Sequence, residues 1–265
     1  GSTVSISGGD VGFGFDANGG STVTISEGSF GDLFEARADS TVSISGGSFD
    51  IDAIARSGST VTISGGTFDR FAALTTSTVA ISGGTFGGLD TRAPGNLTIS
   101  GGNFEINGAA VSDLSGGFGA PGTTDLFTGV LEDGTVFLFG GEAFDEFEAG
   151  ATTLQPVAVA PSANPGVLSA GTFTKGLRAG ETLTVRDEGA LSDHFAVVGG
   201  TLNIEGGTVG EGLKVAFGEV NFSGGTVSGD SILLNGLTVY AGSRVNISDD
   251  AVCNYQIAYS GSRVH

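Results

Sequence analysis

The chain of 265 residues carries 29 acidic and 10 basic side chains, a net charge of −19, and 49 of its residues are glycine. Nucleic acids and anionic membranes attract clusters of Lys and Arg, so this balance argues against both as partners. Collagen is excluded because there are only 5 prolines and no Gly-X-Y period. A hydrophobic content of 39% with 19 Phe indicates a folded chain.

Two further classes are excluded by simple counts. Cys253 is the only cysteine, so the chain has no disulfide framework and no cysteine-based metal site. No stretch reaches the ~18–20 consecutive apolar residues that a membrane-spanning helix needs. The sequence therefore predicts a chain without a membrane span.

A six-residue motif recurs in the first hundred residues, as STVSIS, STVTIS, STVSIS, STVTIS and STVAIS. A shorter, divergent copy, NLTIS, follows them. Its alternation of β-branched and small polar residues predicts a short, half-buried strand. A glycine pair or near-pair follows each copy, and then a large apolar residue. The isoleucines of the copies are Ile6, Ile25, Ile44, Ile63, Ile81 and Ile99, and the apolar residues are Val11, Phe30, Phe49, Phe68, Phe86 and Phe104.

A period of about 19 residues is typical of leucine-rich repeats and of β-solenoids. The Leu-x-x-Leu-x-Leu signature is absent, and so is any helical periodicity. We therefore predict an all-β fold, a right-handed parallel β-helix with rungs of 18–20 residues. The Val and Ile of each copy should point inward, and the Phe column should stack between rungs.

The regularity of the repeat divides the chain into three predicted blocks. Residues 1–118 are regular rungs, and residues 119–168 are an irregular or hairpin insertion or variant rungs. Within that second block, VLEDGTVFLF predicts two strands around an Asp-Gly turn. Residues 169–265 resume the repeat, continue the first block and stop within a strand. Ends of this kind predict either a piece of a longer repeat array or end-to-end stacking of copies.

The STVxISGG(S/T)F copies, together with the segments VLEDGTVFLF and GATTLQPVAVAP, resemble β-helix repeat regions of large secreted or surface proteins of marine bacteria, planctomycetes among them. More distantly, the repeat is similar to the pectate-lyase-like β-helix of polysaccharide enzymes. The resemblance implies an extracellular or cell-surface location and contact with polysaccharide along the outer face. Activity does not follow from it, because one fold hosts many functions.

If the chain were a polysaccharide lyase or hydrolase, as the distant resemblance allows, its candidate residues would lie near the C-terminus. They are Arg244, Arg263, Tyr259 and His265, with Tyr255, Asp249 and Asp250 nearby. Arg244 and Arg263 are one repeat apart, so they should stack on one outward face and could bind a uronate carboxylate. The alternative is two solvated arginines beside acidic neighbours. The pair Asp193 and His194 has no accompanying nucleophile and is a weaker candidate.

Carboxylates offer a candidate Ca²⁺ site, and no other cofactor is indicated. Asp50 and Asp69 occupy the same position in neighbouring copies, so they should lie about 5 Å apart. Ca²⁺ prefers such oxygen ligands. The acidic segment EAFDEFEAG is a second candidate, with Glu142, Asp145, Glu146 and Glu148 as its carboxylates.

The outward positions of the motif form two predicted columns of hydroxyls. They are Thr3, Thr22, Thr41, Thr60 and Thr78 in one column, and Ser5, Thr24, Ser43 and Thr62 in the other, where Ala80 interrupts the pattern. The columns should form a grid of about 4.8 by 6.7 Å. Such a grid could order water and bind ice, or it could be an ordinary solvated strand face.

The function that best fits these observations is a non-catalytic, extracellular structural or adhesive β-solenoid module of a surface protein or filament. Its possible partners are polysaccharide and further copies or repeats of the same kind. A polysaccharide lyase or hydrolase is the first alternative, and ice binding through the Ser/Thr columns is the second.

Overall fold

The computed structural model describes residues 1–91, 96–114, 125–140, 152–161, 163–228, 236–248, 252–253 and 256–265. All regular structure in these residues is β-strand, and parallel sheets stack as a β-solenoid of about 12 turns, about 19 residues apart. The predicted fold class is confirmed. No helix in the described ranges is long and apolar enough to cross a membrane.

Contacts divide the chain into two units, Gly1–Val159 and Ala160–His265, each with its own apolar core. The strands of the first unit are β1 (Thr3–Val11), β2 (Asp16–Ala17), β3 (Thr22–Phe30), β4 (Phe34–Ala36), β5 (Thr41–Phe49), β6 (Ala53–Ala55), β7 (Thr60–Phe68), β8 (Phe71–Ala73), β9 (Thr78–Phe86), β10 (Leu89–Asp90), β11 (Asn96–Ile106), β12 (Ala109–Ala110), β13 (Leu126–Leu131), β14 (Val136–Gly140) and β15 (Thr152–Pro156). The predicted limits at residues 118 and 168 stay a prediction.

The first unit has a long-strand sheet and a short-strand sheet. In the long-strand sheet, β1, β3, β5, β7, β9 and β11 pair in parallel, one copy of the repeat beside the next. In the short-strand sheet, β2, β4, β6, β8 and β10 pair in the same order. Each rung therefore contributes one long and one short strand, and the chain turns a corner between them.

The segment VLEDGTVFLF forms an antiparallel hairpin of β13 and β14. β13 pairs antiparallel with the second half of β11, while β15 pairs in parallel with the first half of that strand. The hairpin turn is fixed by Asp133, whose carboxylate accepts hydrogen bonds from the backbone N–H (2.8 Å) and the hydroxyl (2.9 Å) of Thr135. This stretch thus departs from the simple rung pattern at the point where the repeat weakens.

The strands of the second unit are β16 (Gly166–Phe173), β17 (Thr182–Leu191), β18 (Ala196–Val198), β19 (Thr201–Ile204), β20 (Thr208–Val209), β21 (Leu213–Ala216), β22 (Glu219–Phe222), β23 (Thr226–Val227), β24 (Leu237–Val239), β25 (Arg244–Ile247), β26 (Val252–Cys253), β27 (Gln256–Ala258) and β28 (Arg263–Val264). β16, β17, β19, β22, β25 and β28 pair in parallel along one sheet, and β18, β21, β24 and β27 form the other. The long strand is split in later rungs, so that β17 pairs with both β19 and β20.

The core of the first unit follows the predicted columns. Val42 and Ile44 of a representative rung are buried, and their neighbours above and below occupy the same positions. The rings of Phe30, Phe49, Phe68 and Phe86 stack face to face, with centroids 4.6, 4.6 and 5.0 Å apart. Stacked rings at this spacing bury a large apolar area and add an attraction of their own.

The glycine pair of the repeat places a bulge in the ladder, as the rung of β7 shows. A Cβ at Gly65 would collide with the carbonyl oxygen of Ser45 in the rung before, and Gly66 has a φ of +105°. A side chain is therefore excluded at the first glycine by space and disfavoured at the second by conformation.

The serines of the repeat add side-chain hydrogen bonds to backbone carbonyls at the corner and at the bulge. At the corner, the Ser59 hydroxyl donates to the carbonyl oxygen of Arg56 at 2.6 Å, and the buried Ser40 and Ser77 hold the same turn in their rungs. At the bulge, the Ser64 hydroxyl donates to the carbonyl oxygen of Ile44 at 3.4 Å, where the strand register shifts. Four of the six residues of the motif therefore maintain the fold: two serines and the buried Val and Ile.

Candidate functional site

The two outward positions of the motif form straight columns on the long-strand sheet of the first unit. Thr3, Thr22, Thr41, Thr60 and Thr78 are Cα partners from rung to rung. Ser5, Thr24, Ser43 and Thr62 pair in the same way, and Ala80 follows them. We call these nine hydroxyl-bearing residues the hydroxyl face. The predicted columns are confirmed as to register.

Every residue of the hydroxyl face is exposed, and none of the nine side chains makes a hydrogen bond to another described residue. The other serines of the same rungs donate to backbone carbonyls at the corner or the bulge. The hydrogen-bonding capacity of the hydroxyl face is thus directed entirely to solvent or to a partner.

A third column, not noticed in the sequence, lies beyond the bulge and contains Ser29, Ser48, Thr67 and Thr85. Its hydroxyls bond to one another, Ser48 to Ser29 at 3.3 Å and Thr85 to Thr67 at 3.1 Å. The third column therefore differs from the hydroxyl face, because part of its capacity is already used. The signal in the sequence was the small hydroxyl residue just before each Phe.

The short-strand sheet of the first unit carries an ion-pair network on its outer face. Glu35 is 5% exposed and pairs with Arg56 from the next rung and with Arg37 at 2.8 Å, and Arg37 reaches Asp16 at 3.0 Å. The hydrogen bond from Arg56 is the main reason why the pKa of the Glu35 carboxyl is lowered, against the effect of burial. The same bond raises the pKa of Arg56.

A second part of this network lies one to two rungs further along. Arg70 contacts Asp52 at 2.8 Å and the fully buried Asp90 at 3.3 Å. Sequence reasoning missed both groups of residues because they come from the variable part of the repeat. The sequence separations of 18 to 21 residues between partners are the only signal.

The candidate lyase residues lie in the last rungs of the second unit. Arg244 and Arg263 are Cα partners on β25 and β28, and both are exposed. The ring of Tyr259 stacks on that of Tyr240, with centroids 5.1 Å apart, and His265 is exposed. Tyr255, Asp249 and Asp250 lie outside the described residues. A catalytic role of the four candidates stays a prediction.

The other acid–base candidate has a structural setting. The carboxylate of Asp193 accepts a hydrogen bond from the backbone N–H of Glu211 at 2.8 Å, and His194 is 5% exposed with a φ of +54°. The backbone N–H of His194 donates to the carbonyl oxygen of Glu211 at 2.7 Å. Both residues thus join one rung to the next at a turn.

Asp50 and Asp69 follow in-register residues of neighbouring rungs. Desolvation raises the pKa of the Asp50 carboxyl, and the charges of Asp69, Asp32 and Asp10 raise it further. No group of three or more metal-ligating side chains is found in the described part of the chain. Asp145, Glu146 and Glu148 lie outside that part, and Ca²⁺ binding stays a prediction.

The second unit carries a different pattern on its long-strand sheet. The carboxamide of Asn221 donates to Asn203 at 2.9 Å, and that of Asn246 donates to Asn221 at 2.7 Å. Asn203 in turn contacts the hydroxyl of Thr184 at 3.4 Å. An amide ladder thus occupies the place that Ser and Thr hold in the first unit, and its donors are used within the protein.

Comparisons of the chain with family models, with characterised proteins and with solved structures gave no match. The resemblance to bacterial repeat regions is therefore confirmed only as far as a parallel β-solenoid fold.

Proposed function

We propose that the chain is a non-catalytic structural and adhesive β-solenoid module of an extracellular or cell-surface protein. The hydroxyl face is the surface that contacts its partner, a neutral polysaccharide. The observation that carries the proposal is the repetition of nine exposed hydroxyls in register, none of which is hydrogen-bonded to another described residue.

A repeated surface favours a repeated partner. Catalysis requires dissimilar groups that converge on one point, such as a base, an acid and a stabiliser of charge. The hydroxyl face instead offers the same group at every rung, about 4.8 Å from the next. A polymer with many hydroxyls can use several such positions at once, and weak contacts then add up to firm attachment.

The absence of charge on the hydroxyl face supports a neutral partner. The nine residues are all Ser or Thr, although the chain as a whole has a net charge of −19. Uncharged donors and acceptors can bond to sugar hydroxyls without the repulsion that a dense polyanion would meet. The stacked core beneath them holds the columns in place, so little side-chain freedom is lost on contact.

The test is a binding assay with insoluble cellulose, using the whole chain and a variant with T22V, T41V and T60V. Valine keeps the β-branched shape and removes the hydroxyl. We expect the variant to lose most of the bound fraction. The matched control is T208V with T226V, two exposed threonines of the second unit. Equal binding of the variant and the whole chain would refute the hydroxyl face as the contact surface.

Ice binding is the second candidate, and a specific observation favours it. The Thr and Ser hydroxyls lie in register from rung to rung and are not hydrogen-bonded to other described residues, so the first layer of water on them can follow the rung spacing. If ice is the partner, the whole chain slows ice recrystallisation, and the T22V, T41V and T60V variant does not. Growth equal to that in buffer rejects this candidate and leaves the polysaccharide proposal standing.

A further inference from the structure

Arg244 and Arg263 differ from all other described Lys and Arg residues. Each of the others takes part in an ion pair, a hydrogen bond or another electrostatic interaction; these are Arg37, Arg56, Arg70, Lys175, Arg178, Arg186 and Lys214. The backbone N–H groups of Arg244 and Arg263 are paired with the rung before, but their guanidinium groups make no ion pair or hydrogen bond with another described residue. In a chain with 29 acidic side chains, two arginines without an ion pair in the described part of the chain are unexpected.

The two arginines also lie side by side. They are Cα partners on adjacent parallel strands, so their side chains leave the sheet in the same direction about 4.8 Å apart. Like charges placed directly opposite on neighbouring strands destabilise the pair. An anion held between the two guanidinium groups would remove that repulsion, and each guanidinium can donate two parallel hydrogen bonds to a carboxylate.

The nearest carboxylate in the column that contains Arg244 and Arg263 already accepts a hydrogen bond from another residue. Glu219 is the Cα partner of Arg244 on the preceding rung, and its carboxylate accepts a hydrogen bond from Asn246 at 3.2 Å. Asn246 is held by the amide ladder at its other contact. The Glu219 carboxylate therefore lies beside Asn246, and within the described residues it forms no ion pair with Arg244.

We propose that Arg244 and Arg263 form a binding site for the carboxylate of a uronate residue in an otherwise neutral polysaccharide. The site rests on the proposed adhesive function and names a second point of contact for it, on the second unit. It is a binding site without bond making or breaking.

The net charge of the chain limits the density of anionic groups that a bound polysaccharide can carry. A charge of −19 repels a polymer that carries a charge on every residue. Two guanidinium groups at rung spacing can bind one carboxylate, or two carboxylates on successive sugars, and no more.

The experiment measures the affinity of the whole chain for a β-glucan oligosaccharide with a single glucuronate, by calorimetry at low and at physiological salt. The neutral oligosaccharide of the same length is the reference, and dextran sulfate is the dense polyanion. We expect the uronate compound to bind about tenfold more tightly than the neutral one and to weaken with salt. Dextran sulfate binding more tightly than the uronate compound would overturn the proposal, since any anion would then do.

The variant R244Q with R263Q should bind the uronate compound no better than the neutral one. Its melting temperature should equal or exceed that of the whole chain, because a like-charge contact is removed, and this shows that the variant is folded. R186Q is the matched control, since Arg186 is an exposed arginine of the same sheet that pairs with Glu205 at 2.6 Å. Unchanged uronate affinity of R244Q with R263Q would overturn the proposal.

The two proposals can fail separately. The T22V, T41V and T60V variant should keep its affinity for the uronate oligosaccharide, because it changes only the hydroxyl face of the first unit. If that variant loses cellulose and uronate binding together, the assignment of the uronate site to the second unit is wrong. If it loses cellulose binding alone, both proposals hold.

Discussion

The serines at the corner have a different role from the serines of the hydroxyl face. Ser59 is 1% exposed, and its hydroxyl donates to the carbonyl oxygen of Arg56 at 2.6 Å. Ser43 is exposed and has no side-chain partner among the described residues. Removal of the buried Ser59 hydroxyl loses a short hydrogen bond inside the protein, whereas a solvated hydroxyl can be removed with little effect.

We therefore expect S59A to lower the free energy of unfolding by about 1 kcal/mol and S43A to change it by less than about 0.5 kcal/mol. Urea denaturation followed by circular dichroism measures both. A loss in S43A as large as that in S59A would contradict the distinction between corner serines and the hydroxyl face.

Glu35 offers a test of the ion-pair network through its pH dependence. Because Arg56 lowers the pKa of Glu35, the folded chain holds this carboxylate charged more strongly than the unfolded chain does. The stabilisation is present above the ordinary Glu pKa of about 4.3 and is lost as the pH falls through the lowered value. We expect E35Q to cost about 1–2 kcal/mol at pH 7, since the partner arginines are partly solvated.

The loss in E35Q should shrink as the pH falls from about 4 through the lowered pKa of Glu35, because the unmutated carboxylate then gives up its charge as well. E205Q is the control, since Glu205 and Arg186 form an exposed pair that contributes little. A difference between E35Q and the unmutated chain that stays constant from pH 7 to pH 3 would show that packing, not charge, stabilises the residue.

Asp50 should respond with the opposite sign. Desolvation and the charges of Asp69, Asp32 and Asp10 raise its pKa, so the folded chain binds this proton more tightly than the unfolded chain. Stability is therefore lost as the pH rises through the raised pKa. We expect D50N to raise the melting temperature at pH 7 and to have no effect at pH 3. A lower melting temperature of D50N at pH 7 would mean that the carboxylate is paired.

The same variant tests the predicted calcium site. If Ca²⁺ binds between Asp50 and Asp69, millimolar CaCl₂ raises the melting temperature of the unmutated chain and leaves that of D50N unchanged. Equal shifts of both proteins would place any calcium effect elsewhere.

At the scale of the element, the phenylalanine stack makes each rung depend on its neighbours. Phe68 is fully buried between the rings of Phe49 and Phe86 and meets the edge of Phe71 at 5.8 Å. We expect F68A to cost about 3–5 kcal/mol, because the cavity would interrupt the stack. F13A is the control, since Phe13 is 74% exposed, and should cost less than about 0.5 kcal/mol. Thermal unfolding measures both, and a small loss in F68A would mean that rungs collapse around the gap.

The long strands were predictable from the sequence and the short ones were not. Residues such as Val42 and Ile44 alternate with polar neighbours over enough positions to reveal strand and inward face together, and constant spacing then sets the register. Strands of two or three residues, such as β6, are too short to show a period. Their position follows from the stacking of the long strands, which fixes where the chain can return.

The candidate site likewise has a part that the sequence predicts and a part that it does not. The hydroxyl face was visible because it repeats, and the register of Arg244 with Arg263 followed from their spacing. The network of Glu35 and Arg56 was invisible, because each of its charged positions recurs in only two rungs and the partners meet only through the lateral distance between rungs. The sequence also could not show which hydroxyls have a hydrogen-bond partner, because that depends on where the bulge shifts the register of the paired strands.

At the scale of the whole molecule, two electrostatic effects of opposite sign compete. A net charge of −19 makes the folded chain repel itself, and salt screens this repulsion. Salt also weakens ion pairs such as those of Arg37 and Arg186. Exposed pairs contribute little, so the repulsion should dominate. We expect the melting temperature at pH 7 to rise when NaCl is increased from 10 to 150 mM.

Repeating the NaCl series close to the isoelectric point, about 4.1, provides the control, because the net charge vanishes there and the rise should disappear. A melting temperature that falls with NaCl at pH 7 would mean that the ion pairs outweigh the net repulsion. Attraction within the ion pairs around Glu35 and Asp90 would then contribute more to stability than the repulsion among the acidic side chains takes away. Either direction of the shift thus identifies the charges on which the stability of this chain depends.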